Sequence, residues 1–217
     1  MRTADERALY KQIQIDVPRT NSSIKLFQSP IVQQCLARIL YLWSIRHPAS
    51  GYVQGMNDLV TPFFIVFLGE QLQEYDQLII ENYDVTQLSN LTLNLIEADC
   101  YWCLSRLLDG IQDNYTFAQL GIQRACNKLS DIVHRVDAPL HEHLKLLDIP
   151  FIQFAFRWMN CLLIRELPLS LVIRTWDTYL AEVESFGIFH VYVCAAFLQR
   201  YSDDLRYSNY YQLFSLF

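Results

Sequence analysis

An all-α fold is the reading on which three features of this sequence agree. Glycine and proline are sparse, 6 and 7 in 217 residues, so long stretches run without a helix breaker. Leucine, glutamine, arginine and glutamate recur at helical spacing, with no sustained two-residue alternation of the kind a strand requires. Hydrophobic residues make up 52% of the chain and aromatic ones 14%, ample material for a sizeable core. The length fits one domain, or two tightly packed helical halves.

Taken in order, residues 4 to 13 read as a helix and residues 14 to 29 as a largely irregular connection containing Pro18, Asn21, Ser22 and Ser23. Ser29 and Pro30 then mark a helix start, a capping residue followed by a proline whose missing N–H is not needed in the first turn. Ile31, Val32, Cys35, Leu36, Ile39, Leu40 and Trp43 form the buried stripe of that helix, which ends at His47 and Pro48. A helix from about Val53 to Leu68 follows, with Pro62 expected to kink it. Residues 69 to 88 are polar, acidic and tyrosine-bearing; they read as a variable loop with one short helix over Tyr75 to Glu81.

Helical periodicity resumes over Leu91 to Ile111, Ile122 to Arg135 and His141 to Leu147. These complete a first half, residues 1 to 150. The second, 151 to 217, is compact: Phe151 to Arg165, Leu169 to Ala181, Phe186 to Tyr201 and a last helix starting near Tyr207, punctuated by Pro168 and Gly187. Leu213, Phe214, Leu216 and Phe217 read as the opening of a further helix. Neither an internal repeat nor a low-complexity tract interrupts the pattern.

Charge and hydropathy narrow the function. Seventeen basic residues against 23 acidic ones leave a net charge of −6 with no basic stripe, which argues against nucleic acid, whose binding is driven by phosphate neutralisation. The longest apolar runs, 59 to 68 and 191 to 198, fall short of the roughly 20 residues a bilayer span needs, so direct membrane insertion is not expected. No basic segment with an apolar core and a small-residue cleavage site opens the sequence, and a cytoplasmic location is the expectation.

Two constellations with chemical potential read better as structure. The cysteines at 35, 100, 103, 126, 161 and 194 fall mostly on apolar helix faces, where a thiol packs as a small hydrophobe, and no disulfide is expected. Cys100 and Cys103 form a C-x-x-C, yet no βαβ pattern surrounds it and helical periodicity runs unbroken through it, favouring packing over redox chemistry. His141 and His143 flank Glu142, but an i, i+2 spacing splays the imidazoles apart, and a solvated face is expected rather than a metal site.

Two short polar segments stand out. IQIDVPRT, residues 13 to 20, presents Arg19 directly after a proline that fixes φ and stiffens the loop. Asp16, three residues earlier, is placed either to brace the guanidinium or to cap the turn. In the second segment Ser50, Gly51 and Gly55 flank Tyr52 and Gln54, a tight loop feeding the helix through Asn57 and Asp58. Alone, a loop arginine or glutamine is ordinarily just a solvated residue.

The pattern I-x-x-D-x-x-R followed by Y-x-Q-G, with ADCYWCL at 98 to 104, Arg157-Trp158, and IRTWDTY at 173 to 179, resembles the TBC-domain family of Rab GTPase-activating proteins. Five segments occur in the family's order, and the stretch from Arg38 to Phe64 is similar to a branch with human and yeast members acting on secretory-pathway Rabs. The resemblance covers nearly the whole chain. It implies a multi-helix TBC-type fold that stimulates GTP hydrolysis in trans, with Arg19 as arginine finger and Gln54 as glutamine finger. Asp16 and Tyr52 would support them, Asp16 bracing Arg19 and Tyr52 packing beneath the Gln54 loop. The partner would be a Rab-family GTPase in its GTP form, carrying its own GTP and Mg²⁺, so no resident cofactor is implied. Trafficking adaptors and a peripheral place at Golgi membranes belong to the same expectation, as do further helices beyond both ends of this sequence. Trp158 and Trp176 match family positions yet read as core, with Asp177 accepting a bond from Trp176, Arg157 or Arg174. The competing reading is a non-catalytic Rab-binding or trafficking scaffold on the same fold.

Overall fold

The computed structural model describes residues 4–182 and 186–210, and every regular element among them is helical. Helix α1, Ala4–Asp16, runs past its expected end because Ile13 and Asp16 are both buried. Val17–Arg19 follows as a 3-10 turn with Pro18 in its first positions, and α2, Lys25–Gln28, comes after a short gap. The connection expected to be irregular is thus largely helical. Its apolar residues explain this: Val17, Leu26 and Phe27 are buried and draw the segment onto the core.

Helix α3, Pro30–Arg46, begins at the anticipated Ser29 and Pro30, although the Ser29 side chain makes no capping bond; its carbonyl accepts from Gln33 N–H at 3.0 Å. Val32, Cys35, Leu36, Ile39, Leu40 and Trp43 are buried along it. The single kinked helix expected from Val53 to Leu68 is instead two, α4 at Met56–Leu59 and α5 at Thr61–Leu72. Pro62 accounts for the break, since it sits in the first turn of α5, where no partner for its missing N–H is required.

Helix α6, Gln77–Glu81, is capped by Asp76, whose side chain accepts from Leu78 N–H. The 20-residue α7, Asn90–Asp109, is capped likewise by Ser89. Helices α8, Leu120–Val136, and α9, Ala138–Leu146, meet at Asp137, which accepts from Leu140 N–H. Helix α10, Phe151–Cys161, stops four residues short of the expected Arg165. Leu162 and Leu163 take left-handed φ values of 51° and 62° while remaining buried, so burial offsets the backbone strain that ends the helix. Helix α11 spans Leu169–Ala181 and α12 Phe186–Arg200, as anticipated to within a residue. Tyr207 follows α13 at Ser202–Arg206, and Tyr210 is helical again, so the helix expected to start near Tyr207 falls mainly outside the described residues. The apolar run at 213 to 217 lies outside the described residues.

Two apolar clusters form the interior. One gathers buried side chains of α1, α3, α5, α7 and α11; the other gathers those of α8, α9, α10 and α12 with Leu205. The end of α10 joins them, because Trp158 and Met159 belong to the second cluster while Cys161 and Leu162 belong to the first. Trp176 is core as expected, but its indole N–H donates to the Leu162 carbonyl at 3.2 Å. Arg157 pairs with Glu166 at 2.7 Å, and Asp177 is exposed, so the bond expected at Asp177 is not the one made.

All six cysteines are free and five are buried, Cys103 being half-buried. Burial pushes the thiols up, to about 12 at Cys35 and Cys161 and about 11 at Cys126, with Cys100 and Cys103 raised as well. A thiol held neutral is a poor nucleophile, which sets the C-x-x-C of α7 among packing residues.

Candidate functional site

The site begins where α1 ends. Asp16, Val17 and Thr20 are buried while Pro18 and Arg19 are exposed, so the 3-10 turn pins itself by three residues and displays the other two. Thr20 N–H donates to the Val17 carbonyl at 3.1 Å, and its hydroxyl donates to the Asp16 carbonyl at 3.3 Å. Arg19 makes no ion pair or hydrogen bond among the described residues, leaving its five donors available.

Gln54 is displayed in the same way. It is exposed between Val53 and Gly55, whereas Gly55 through Phe64 are buried. Gly55 has φ 107°, a conformation L side chains rarely adopt, and a Cβ there would stand 2.4 Å from Asn160 Nδ2. Its N–H donates to Asn57 Oδ1 at 3.1 Å, and Met56 N–H donates to the Val53 carbonyl at 3.1 Å.

The two displayed residues are held together from below. The Tyr52 hydroxyl lies 2.9 Å from Asp16 Oδ2 and 3.1 Å from Asn57 Oδ1, offering its one proton to two acceptors. Asn57 Nδ2 donates to Thr20 Oγ1 at 2.8 Å, and Asn21 Nδ2 donates to Thr61 Oγ1 at 2.8 Å. Three bridges therefore join the arginine turn to the glutamine loop, Tyr52 to Asp16, Asn57 to Thr20 and Asn21 to Thr61. Asp16 also accepts from Gln12 Nε2 at 3.1 Å, so its carboxylate faces Tyr52 and Gln12. The brace expected between Asp16 and Arg19 is not made: Asp16 points inward, and Arg19 is positioned by the backbone it sits on.

Behind the loop, Arg165 donates to the buried Asp58 carboxylate at 2.6 Å, and Asn160 Nδ2 donates to the Gln54 carbonyl at 2.9 Å. Burial raises the Asp58 pKa, with Arg165 pulling against it. Burial, reinforced by the Asp16 charge, also pushes the Tyr52 phenol well above its ordinary range, so it remains a donor at any physiological pH.

All four sequence-derived residues, Asp16, Arg19, Tyr52 and Gln54, thus come to one place. Sequence reasoning missed Thr20, Asn57, Asp58, Asn160 and Arg165. A signal existed for some of them: Asn57 and Asp58 open a run that is otherwise apolar, and Asn160 interrupts FAFRWMNCLL, and a polar residue in such a run needs a buried partner. His141 and His143 are half-buried rather than solvated, each ring with its own partner, Ser130 Oγ and the Ser208 carbonyl. Ligand atoms of His134, His141 and Glu142 lie within 4.8 Å of one another, a grouping on α8 and α9, outside the elements of the arginine turn and glutamine loop.

Chemically, the exposed pair offers a cation and a carboxamide, while the Asp16 carboxylate beneath them is engaged by Tyr52 and Gln12. Such groups suit stabilising charge and orienting water on a reacting centre that another molecule brings.

Residues 2–206 match the Rab-GTPase-TBC domain family. The chain is 58% identical over 196 residues to TBC1 domain family member 22B of Homo sapiens, covering 90% of this chain and 38% of that protein. It is 55% identical over 202 residues to the GTPase-activating protein gyp1 of Schizosaccharomyces pombe, covering 93% of this chain and 39% of that protein. The crystal structure of the Ypt/Rab-GAP domain of Gyp1p superposes with a TM-score of 0.94 at 49% identity, over 99% of this chain and 67% of that one. The chain thus spans about two fifths of the length of these curated relatives.

Proposed function

The chain belongs to the Rab-GTPase-TBC domain family, and from that premise we propose that it stimulates GTP hydrolysis by a Rab-family small GTPase, supplying Arg19 and Gln54 in trans. The observation that carries the reading is the arrangement of the two motifs. Tyr52 to Asp16 and Asn57 to Thr20 tie them into one unit, and the residues left outward are Arg19 and Gln54.

The partner, in its GTP form, brings the nucleotide, the Mg²⁺ and the attacking water. Little covalent chemistry then remains for this chain. Arg19 enters the nucleotide site and meets the charge that develops on the γ-phosphate with its planar fork of donors, projected from a turn whose backbone is held in place. Gln54 accepts from and donates to the water, holding it in line with the scissile bond. An arginine finger supplied in trans is worth roughly 10³ to 10⁵ in rate, or about 4 to 7 kcal/mol of barrier. Among the described residues no helix is long and apolar enough to cross a membrane.

The test is binding of a Rab loaded with GDP and aluminium fluoride against one loaded with a non-hydrolysable GTP analogue. A catalyst binds the transition-state mimic more tightly, because catalysis is differential binding. Equal affinity for both would replace this reading with that of a Rab-binding scaffold.

A further inference from the structure

Resting on that reading, we propose that Asn160, at the end of α10, is a positioning residue for Gln54, acting through the Gln54 backbone rather than touching the reactants.

Asn160 is 106 residues from Gln54 in sequence and is 6% exposed. Its Nδ2 donates to the Gln54 carbonyl at 2.9 Å, and since a carbonyl can only accept, the amide orientation is fixed. The same Nδ2 is the atom that a Cβ on Gly55 would meet at 2.4 Å. Asn160 therefore acts on two consecutive residues in opposite senses: the hydrogen bond holds Gln54 toward α10, and the amide's bulk limits how near Gly55 can come. A loop constrained from both sides has one height above the helix.

The post itself is firmly set. The Asn160 carbonyl accepts from the fully buried Tyr115 hydroxyl at 2.7 Å, and the Met159 carbonyl accepts from Asn114 Nδ2 at 3.3 Å. Beyond it the chain turns through the left-handed Leu162 and Leu163, both buried. Arg165, after that turn, adds a second tie, to α4 through Asp58.

Stability alone does not account for an asparagine here. Asn160 Oδ1 is buried with no hydrogen-bond partner among the described residues, an arrangement that costs free energy and that an apolar residue of similar size would avoid. A polar residue kept in a core with one end unsatisfied is expected where the other end sets a functional geometry.

The experiment compares Asn160→Leu and Asn160→Ala in the wild-type and Gln54→Ala backgrounds, by single-turnover GTP hydrolysis on a responsive Rab and by amide hydrogen exchange. The expected result is a loss of about 10- to 100-fold in the maximal stimulated rate, with the half-saturating concentration nearly unchanged. In the Gln54→Ala background the same changes add less than about 2-fold, because groups that act as a unit are not additive. Exchange at Gly55 and Met56 rises at least about 10-fold while α10 stays protected. An equal loss in both backgrounds, or unchanged exchange at Gly55, overturns the proposal. Failure of the wild type to stimulate any Rab would overturn the proposed function instead, and the exchange of the Gly55 amide would still decide whether Asn160 holds the loop.

Discussion

The phenolic oxygen of Tyr52 lies 2.9 Å from a carboxylate oxygen of Asp16, 36 residues earlier in the chain, and joins the two motifs that carry the candidate site. Asp16 is buried at the end of α1, so its carboxylate depends on Tyr52 and Gln12 for the hydrogen bonds that water would otherwise supply. The two outward residues inherit their relative position from this inward pair.

Tyr52→Phe removes the proton that both Asp16 and Asn57 share. The buried carboxylate is left under-satisfied, and the protein should lose about 1 to 3 kcal/mol of stability. The stimulated hydrolysis rate should fall about 10-fold as the Gln54 loop loses register with the arginine turn. Denaturant unfolding and single-turnover kinetics on the same sample check the two parts.

Arg19→Ala should separate function from folding. The side chain is exposed and unbonded among the described residues, so the melting temperature should shift by no more than about 2 °C. The stimulated rate should drop by at least about 10³-fold. Arg19→Lys should recover little, because an ammonium does not reproduce the planar fork.

Gly55→Ala tests the crowding beneath the glutamine. A methyl group there meets Asn160 Nδ2 at 2.4 Å and must adopt φ 107°. The variant should lose about 1 to 3 kcal/mol, and Asn160→Ala in the same chain should restore part of it by relieving the contact. Thermal unfolding of the two single variants and the double variant measures the coupling.

His190 gives the fold a pH dependence away from the site. Its Nε2 lies 3.0 Å from the Trp158 carbonyl, which requires the N–H there, so Nδ1 accepts from the Tyr179 hydroxyl at 2.8 Å. Burial lowers its pKa from 6.5 to about 4, so the unfolded chain binds the proton more readily. The stability that neutral His190 contributes is intact above pH 6.5 and is lost as pH falls toward 4, by about 3 kcal/mol in all. The stability difference between wild type and His190→Gln should shrink across that window, as measured by urea unfolding at a series of pH values.

Much of this was legible in the sequence, and the exceptions have physical causes. Helices α3, α7, α11 and α12 follow apolar stripes with caps or punctuation at their ends, and appear within a residue or two of expectation. The ends of α5 and α10 were misread because burial decided them: Pro62 started a helix rather than bending one, and two leucines took left-handed conformations no propensity foretells. Within the candidate site, Arg19, Gln54, Asp16 and Tyr52 were picked out only because their short motifs resemble a family's, and the structure brings the four together. Asn160 and Arg165 were not, because their partners lie more than 100 residues away, and only the packing of α10 against the glutamine loop brings them there. The direction of Asp16 was misjudged for a related reason: three residues of spacing suggested Arg19, whereas the 3-10 turn sends the two side chains to opposite sides of the surface.

Single-turnover GTP hydrolysis by a panel of purified Rabs, with the wild type and its Arg19→Ala and Gln54→Ala variants, decides whether the two exposed residues act on the GTPase. Acceleration of at least one Rab by about 10³-fold or more is expected with the wild type, and loss of nearly all of it with either variant. Full stimulation by the Arg19→Ala protein would contradict it.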